Sequence, residues 1–385
     1  MPPGASTTWR SSGTETALTD TAAGATTRVD HVALLRALVE RGASDLHCKA
    51  GSTPAIRIAG ELLRAPDDPV LGQAFTPESV AVLAQALLTT DQQQALLRDG
   101  SVVATHAAPG VGRFRVAVFR QRGSVAVVVH AVPQQVRALD ELGLPASVTT
   151  LASGERGLVL VASPVGNGAT TTLAAMVDHV NRTRACHVVT VEDPAEVLHR
   201  DDRSLISQLE VPTDVAGLAE GVRSASRLDA DVVTISDIAG RDVALAALDA
   251  VARGRLVLAT IGGNTVRSVV DGFLELFSFE ERPNVRQMLA RSLAGVVVQR
   301  LLTGTDGRLV PAAEVLVNTP KIQSVLADEA RMAELGALLA DGMFHGMQTM
   351  DQSLRDQVKA GRIDEAAALA AASDAEELRI ELLRS

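Results

Sequence analysis

A short stretch in the middle of the 385-residue chain has the residue types of a loop that binds phosphate. It reads SPVGNGATTTLAAM, starts at Ser163 and follows the apolar run GLVLVA. A phosphate loop needs a strand, a tight glycine turn whose backbone N–H groups point inward, and a helix start whose dipole meets the anion. The sequence predicts these three parts in this order. The residues predicted to hold phosphate are Gly166, Asn167, Gly168, Thr170 and Thr171, and the Thr170 hydroxyl is also placed to bind Mg²⁺.

Two positions of this stretch depart from the pattern GxxxxGK[ST]. Ser163 stands in place of the first glycine and Ala169 in place of the lysine. A methyl group cannot put positive charge against the β- and γ-phosphates. Losing one preorganised donor costs about 10²- to 10³-fold in rate, and each lost charged hydrogen bond weakens binding by about 1.5 to 3 kcal/mol. Taken alone, the stretch favours an ordinary glycine-rich turn between a strand and a helix over a phosphate loop.

Composition excludes several classes of protein. With 46% hydrophobic and 21% charged residues, the chain is expected to form two folded domains plus tails. The net charge of −10 argues against a protein that grips nucleic acid or anionic membrane over its whole surface. Cys48 and Cys186 form no CxxC pair, so neither a disulfide framework nor a zinc site is indicated. Without a signal peptide or a run of about 18 apolar residues, we expect a cytoplasmic protein that reaches a membrane only through partners.

The pattern along the chain predicts five segments. A small α+β domain begins with a helix from Asp30 to Gly42 and continues in alternating strands. Further on, short apolar runs alternate with helical stretches, which indicates a parallel sheet covered on both faces. After about Phe279 helices are expected, including one over residues 284–302. The predicted segments are a disordered tail (1–28), the α+β domain (29–133), a linker (134–147), the α/β core (148–280) and a helical C-terminal region (281–385).

Five segments, taken in their order along the chain, resemble the type IV pilus retraction ATPases, the PilT family of the secretion superfamily ATPases. They are ASDLHCKAGSTPAIRIAGEL, GRFRVAVFRQRG, VTVEDPAEV, LDADVVTISD and GMQTMDQSLRDQVKAGRI. The resemblance implies an α/β fold in which a PAS-like α+β domain precedes a RecA-like P-loop NTPase domain with a helical C-terminal region. It also implies ATP and Mg²⁺ as cofactors, a hexamer of identical or mixed PilT-like subunits, and an inner-membrane platform protein of the pilus base as a partner.

The resemblance further assigns roles to residues that match the family's motifs. At the acidic-box positions, where the family organises magnesium and water, stand Glu192, Asp193 and Glu196. This implies catalytic roles for the two glutamates and a metal-binding role for Asp193. At positions where the family's N-terminal arginines reach nucleotide phosphates stand Arg113, Arg115 and Arg122.

Other matched positions depart from the family. Asp237 replaces the catalytic Walker B glutamate and is one methylene shorter, and Gly262 replaces the histidine of the TLHT box. Ala239 and Arg255 replace an arginine and a histidine. Replacement of the missing lysine charge by Arg241, Arg253 or Arg255 is a further hypothesis, although nothing in the sequence positions these side chains.

Three functions therefore stay open at this point. The first is an accessory or regulatory pilus motor subunit with weak or no ATP hydrolysis. The second is an active retraction motor in which an arginine and Asp237 substitute for the missing groups. The third is a scaffold of a pilus or secretion assembly that needs no nucleotide.

Overall fold

The computed structural model describes residues 29–58, 61–133 and 136–383, and the chain divides after Ala131 into two compact units. The tail predicted over residues 1–28 lies outside the described residues. Within the described residues, the two units have separate hydrophobic cores.

The first unit contains an antiparallel sheet and three helices. Its strands are β1 (Asp45–Lys49), β2 (Ala55–Ile58), β3 (Glu61–Arg64), β4 (Ser101–Ala108), β5 (Gly112–Gln121) and β6 (Ser124–Val132). Its helices are α1 (His31–Glu40), α2 (Pro77–Leu87) and α3 (Thr90–Asp99). The strand order is β3-β2-β1-β6-β5-β4. Asp30 caps α1, because its carboxylate accepts a hydrogen bond from the Ala33 amide at 2.9 Å.

The alternating pattern of PAIRIAGEL, residues 54–62, predicts one strand, and this prediction is wrong. This segment forms two antiparallel strands, β2 and β3, in which Ile58 lies opposite Glu61. In contrast, β5 follows the predicted alternation: Phe114 and Val116 are buried in the core, while Arg113 and Arg115 lie on the other face. Strand β5, which carries the arginines, is therefore one of six strands in a sheet whose inner face packs against the core of the domain.

The second unit is built on a seven-stranded sheet. Its strands are β7 (Gly157–Ala162), β8 (His187–Glu192), β9 (Leu205–Glu210), β10 (Val232–Ile235), β11 (Leu256–Ile261), β12 (Leu293–Thr303) and β13 (Leu309–Val317). The helices within and around the sheet are α4 (Ala146–Ala152), α5 (Ala169–Thr183), α6 (Leu218–Arg227), α7 (Arg241–Ala252), α8 (Val266–Glu275) and α9 (Arg282–Ser292). The strand order is β13-β12-β7-β11-β10-β8-β9, and only the β12–β13 pair is antiparallel.

Helices cover both faces of this sheet, which explains why its central strands are continuously apolar. Every residue of β7 and β11 is buried. Alternate β7 residues enter two different cores: Leu160 packs in one cluster with Phe273 of α8, whereas Val161 packs in another with Met176 of α5. This is the packing that the apolar runs predict for buried parallel strands.

The prediction of one helix over residues 284–302 is wrong in its second half. Helix α9 ends at Ser292, and β12 then joins the sheet between β7 and β13. The run AGVVVQ carries consecutive β-branched valines, and a short apolar run cannot be assigned to helix or strand from its periodicity. The predicted core boundary at residue 280 is therefore wrong, because the sheet continues to Val317.

The C-terminal part is helical only after β13. It contains α10 (Pro320–Leu326), α11 (Leu335–Ala340), α12 (Met350–Lys359), α13 (Glu365–Ala371) and α14 (Ala375–Leu383). The last two lie in the stretch EAAALAAASDAEELRIELL, which the sequence predicts as one end helix, and they bury Ala368 and Leu378 in a small core with Leu354. At the other end of the unit, the described part of the predicted linker contains a short 3-10 helix, Leu139–Leu142, whose first residue is buried.

Candidate functional site

The loop from Ser163 to Gly168, here called the phosphate loop, joins the buried strand β7 to the amino terminus of α5. Gly166 and Gly168 have φ angles of +79° and +89°, a conformation that glycine adopts without steric cost. A Cβ atom at Gly166 would meet nothing within 4 Å, so the loop is open on that side. Among the described residues, the non-glycine residues with positive φ are Arg122 and Asp229. Ser163 therefore stands at the first-glycine position without left-handed strain.

A buried side chain from β12 holds the loop in this shape. Gln299 donates from Nε2 to the Asn167 carbonyl oxygen at 2.7 Å and accepts from the Thr172 hydroxyl at 2.6 Å. The Leu301 amide donates to Asn167 Oδ1 at 2.8 Å. A Cβ atom at Gly168 would lie 2.6 Å from Gln299 Nε2. The predicted binding residue Asn167 is thus tied into the loop, and Gln299, the polar residue after three valines, is a residue that sequence reasoning missed.

The start of α5 presents the groups that a phosphate would contact. The Thr172 amide closes the first helical turn onto the Gly168 carbonyl at 3.0 Å. The amides of Ala169, Thr170 and Thr171 precede that turn, so they have no acceptor inside the helix. Thr171 is exposed and Thr170 is partly exposed. The backbone half of an anion site is therefore present, and the methyl side chain of Ala169 adds no charge to it.

The acidic edge, defined as Glu192, Asp193, Glu196 and Asp237, lies where β8 and β10 end. The Glu192 carboxylate accepts from the Thr190 hydroxyl at 2.7 Å, from Gln208 Nε2 at 2.9 Å and from the Glu196 amide at 3.3 Å. Burial raises the pKa of Glu192 despite these donors. Glu192 is therefore a fixed, largely enclosed carboxyl group, whereas the Glu196 side chain is exposed.

Asp237 follows β10 and lies beside the end of β8. The two strand ends are joined because the Ser236 amide donates to the Val191 carbonyl at 3.0 Å and the Asp193 amide donates to Ser236 Oγ at 3.1 Å. Asp237 is at the surface of the chain, yet the protein packed around its carboxyl group removes enough water to raise its pKa.

The structure brings the acidic residues together but places the phosphate loop farther along the same sheet edge. Strands β11 and β10 lie between β7 and β8, so the strands that lead to Thr170 and Asp193 are three spacings apart, roughly 14 Å. The described residues contain no cluster of three or more His, Cys, Asp or Glu side chains able to hold a metal ion. The two predicted metal ligands, Thr170 and Asp193, are therefore carried by separate parts of the edge.

The arginines proposed from the sequence fall into two groups. Arg113, Arg115 and Arg122 belong to the first unit, where the first two lie on β5 and Arg122 occupies the exposed turn after it.

The three arginines considered as replacements for the missing lysine lie in the second unit. Arg241 pairs with Glu281, and this contact lowers the pKa of Glu281 to about 2. Arg253 pairs with Asp249 at 2.9 Å. Arg255 precedes β11, and its carbonyl accepts from the Gly157 amide at the start of β7, the opposite end from the phosphate loop. The hypothesis that one of these three takes over the lysine's charge gains no support.

Gly262 and Gly263, which follow β11 and end the segment TIGG that begins at Thr260, differ in their surroundings. A Cβ atom at Gly262 would meet nothing within 4 Å, whereas one at Gly263 would lie 2.5 Å from Val269 Cγ2. The position that holds a histidine in the resembled family thus has room for a side chain and lacks one here.

Comparison with known proteins identifies the family. The family model described as "Type II/IV secretion system protein" matches residues 27–307. The chain belongs to this family. It is 33% identical to the type IV pilus retraction ATPase PilT of Pseudomonas aeruginosa over 335 residues, which cover 87% of this chain and 96% of the relative. It is 31% identical to the type IV pilus ATPase PilU of the same organism, with 90% of each chain covered.

Solved structures place the chain among the PilT-like secretion ATPases. A crystal structure of the pilus retraction motor PilT with bound ADP superposes with a TM-score of 0.83 at 33% identity, covering 91% of this chain and 98% of that one. The ATPase DotB of Legionella pneumophila, at 20% identity and a TM-score of 0.74, shares the fold. The predicted α/β class, with an N-terminal α+β domain before a RecA-like domain, is confirmed. In the described part of the chain, every helix is too short or too polar to cross a bilayer.

Proposed function

We propose that this chain is a PilT-like subunit of a type IV pilus machine that binds ATP but hydrolyses it weakly or not at all. The observation that carries this proposal is the contrast within one loop: Gly166, Gly168 and the Gln299 contacts preserve its shape, while Ala169 supplies no charge. Similarity to PilT and PilU supports the pilus assignment.

The residues present suit the phosphates of ATP. The free amides at the start of α5 and the helix dipole favour an anion, and the Thr170 hydroxyl is a suitable ligand for Mg²⁺. ATP bound with Mg²⁺ supplies the phosphoryl group that water would attack. Glu192 would hold and accept a proton from that water, since a raised pKa suits a general base near neutral pH.

Three departures weaken hydrolysis more than binding. Ala169 provides no cation for charge that develops during phosphoryl transfer, a loss of about 10²- to 10³-fold. Asp237 holds its carboxylate one methylene short of the glutamate position, and a displacement of about 1 Å costs about 10²-fold. Gly262 presents no side chain at all. The backbone cradle of the loop, which contributes to binding in the ground state, is unaffected by these three changes.

The assembly we propose is a hexamer, formed by this chain alone or mixed with an active PilT-like subunit. Within it, Arg113, Arg115 and Arg122 would reach a nucleotide held by a neighbouring subunit, since guanidinium groups suit phosphate geometry. The ring would act in the cytoplasm against an inner-membrane platform protein. In a mixed ring, arginines or the lysine of the active subunit would complete the sites that it shares with this chain.

A mixing experiment tests this function. Steady-state phosphate release is measured for this chain alone, for an active PilT-type ATPase of the same pilus system, and for mixtures at fixed amounts of the active enzyme. We expect background release from the chain alone and a changed rate per active subunit in the mixture. Asp237→Ala is compared with Asp67→Ala, an exposed loop aspartate of the first unit.

The remaining functions give different results. Release by the chain alone that Asp237→Ala abolishes and Asp67→Ala preserves would establish an active motor. Failure to bind ATP, combined with unchanged rates in every mixture, would leave a scaffold that needs no nucleotide.

A further inference from the structure

A cavity of about 260 Å³ opens beside the phosphate loop in the second unit. Gly168, Thr171 and Thr172 line it on the side of the loop and α5. Its apolar lining residues are Leu142, Leu144, Leu301, Leu309 and Pro311. This volume is slightly below the roughly 300 Å³ at which small-molecule pockets begin. The cavity therefore has room for part of a nucleotide, while the rest would extend onto the loop.

Arg137 is the one cationic residue in the lining of this cavity, which otherwise consists of neutral residues. Its side chain is exposed as well as cavity-lining, so it stands where the cavity meets solvent. Within residues 29–58, 61–133 and 136–383, no carboxylate forms an ion pair with it. In this respect Arg137 differs from Arg241 and Arg253, whose guanidinium groups are held by Glu281 and Asp249.

We infer that Arg137 binds a phosphate of the nucleotide and so supplies the positive charge that Ala169 cannot. This inference rests on the proposed function, because it requires ATP in the phosphate loop. A guanidinium group is always charged and offers parallel donors that match phosphate oxygens. Arg137 and Thr171 line the same cavity, so Arg137 would reach the phosphates from the cavity side rather than from inside the loop. The positive charge that is missing at the start of α5 is thus supplied by the segment that precedes α4.

The chemistry of the site favours a phosphate over the base as the partner of Arg137. The apolar side chains of the cavity suit the flat, weakly polar face of a nucleobase, whereas the loop amides suit anions. Arg137 lines the same cavity and has no carboxylate partner among the described residues, so the negative charge of the phosphates matches it. Nucleotides with more phosphates should therefore depend more strongly on this residue.

The test is a set of calorimetric titrations of the full chain with a non-hydrolysable ATP analogue and Mg²⁺. We expect Arg137→Ala to weaken the affinity by about 10- to 100-fold and Arg137→Lys to retain part of it. Arg156→Ala is the matched control, because Arg156 is an exposed arginine that precedes β7 at the opposite end of the sheet. Adenosine, which has no phosphate, should bind Arg137→Ala and the unaltered chain equally.

A double-mutant cycle makes the test specific for charge replacement. Ala169→Lys should tighten binding of the analogue, and Arg137→Ala should then cost less than it does in the unaltered chain. Equal affinity of the unaltered chain and Arg137→Ala, with Thr170→Ala still weakening binding, would overturn this inference and leave the proposed function standing. Lack of binding by the folded, unaltered chain would overturn both.

Discussion

The phosphate loop and the acidic edge lie at the same end of one sheet, but they differ in what they retain. The loop keeps its backbone shape through Gly168 and Gln299 and has lost its cationic side chain at position 169. The acidic edge keeps its carboxyl groups, of which Glu192 is held by three donors. The backbone shape of a site and its chemistry are thus separable. Glycine conformations and buried contacts determine the shape, whereas individual side chains determine the chemistry.

The largest effect is expected from Gly168→Ala, which distorts the backbone of the phosphate loop. A residue with a Cβ at φ +89° costs about 1 to 3 kcal/mol, and displacement of Gln299 leaves buried polar groups unpaired at about 1 to 3 kcal/mol more. We expect the analogue's affinity to fall by about 30-fold or more, since about 2 to 6 kcal/mol is at stake. Urea unfolding and calorimetry measure the two effects. Normal stability and affinity in this variant would mean that the Gln299 contacts do not define the loop.

The next prediction concerns His199 and the way in which the free energy of unfolding depends on pH. Burial lowers the pKa of His199 from 6.5 to about 4. Between these values the unfolded chain binds a proton that the folded chain does not, so stability falls as the pH decreases from 6.5 to 4. His199→Gln should reduce this loss by up to about 3 kcal/mol. The measurement is urea unfolding of both proteins at several pH values, and parallel pH profiles would contradict it.

A smaller effect is expected when the support of Glu192 is removed. Gln208 donates to Glu192 and to the Val197 carbonyl, each at 2.9 Å, and accepts from the His199 amide. Gln208→Ala should cost about 1 to 3 kcal/mol of stability. Because the acidic edge is separate from the loop, analogue affinity should change less than about threefold, within about 0.7 kcal/mol.

The matched control is Gln85→Ala, which removes an exposed glutamine of α2 and should leave stability unchanged. A loss of affinity in Gln208→Ala as large as that in Gly168→Ala would show that the two regions act as one.

A longer carboxylate side chain at position 237 tests the chemistry of the acidic edge without changing its charge. Asp237→Glu advances the carboxylate by one methylene toward the position used in the family. In the Ala169→Lys background, we expect at least about a tenfold rise in phosphate release, equivalent to about 1.4 kcal/mol. Asp67→Glu in the same background serves as the control. An unchanged rate would mean that carboxylate length does not limit turnover.

The smallest effect is expected at Gly262. Because a side chain there would meet open space, Gly262→His should change stability by less than about 0.5 kcal/mol. Gly263→Ala is the neighbouring contrast, since its Cβ would clash with Val269. Thermal unfolding of both variants measures the difference, and equal destabilisation would contradict the local geometry.

Local sequence patterns predicted the strand, turn and helix around the phosphate loop because these elements are consecutive in the chain. Gln299 could not be found in this way, since it lies 127 residues after the Thr172 hydroxyl that it accepts from. Strand β12 was missed for a related reason: its valine run fits helix or strand, and pairing with β7 decides between them. Arg137 was overlooked because the cavity beside it is formed by segments far apart in sequence.

The central claim is that the phosphate loop still holds ATP although its lysine position is an alanine. Calorimetric titration of the purified full chain with a non-hydrolysable ATP analogue and Mg²⁺ tests it most directly, with Thr170→Ala as the companion variant. The account predicts saturable binding in the micromolar range that Thr170→Ala weakens by about tenfold, the loss of one charge-assisted contact. Absence of binding up to millimolar analogue, in a chain shown to be folded, would contradict it.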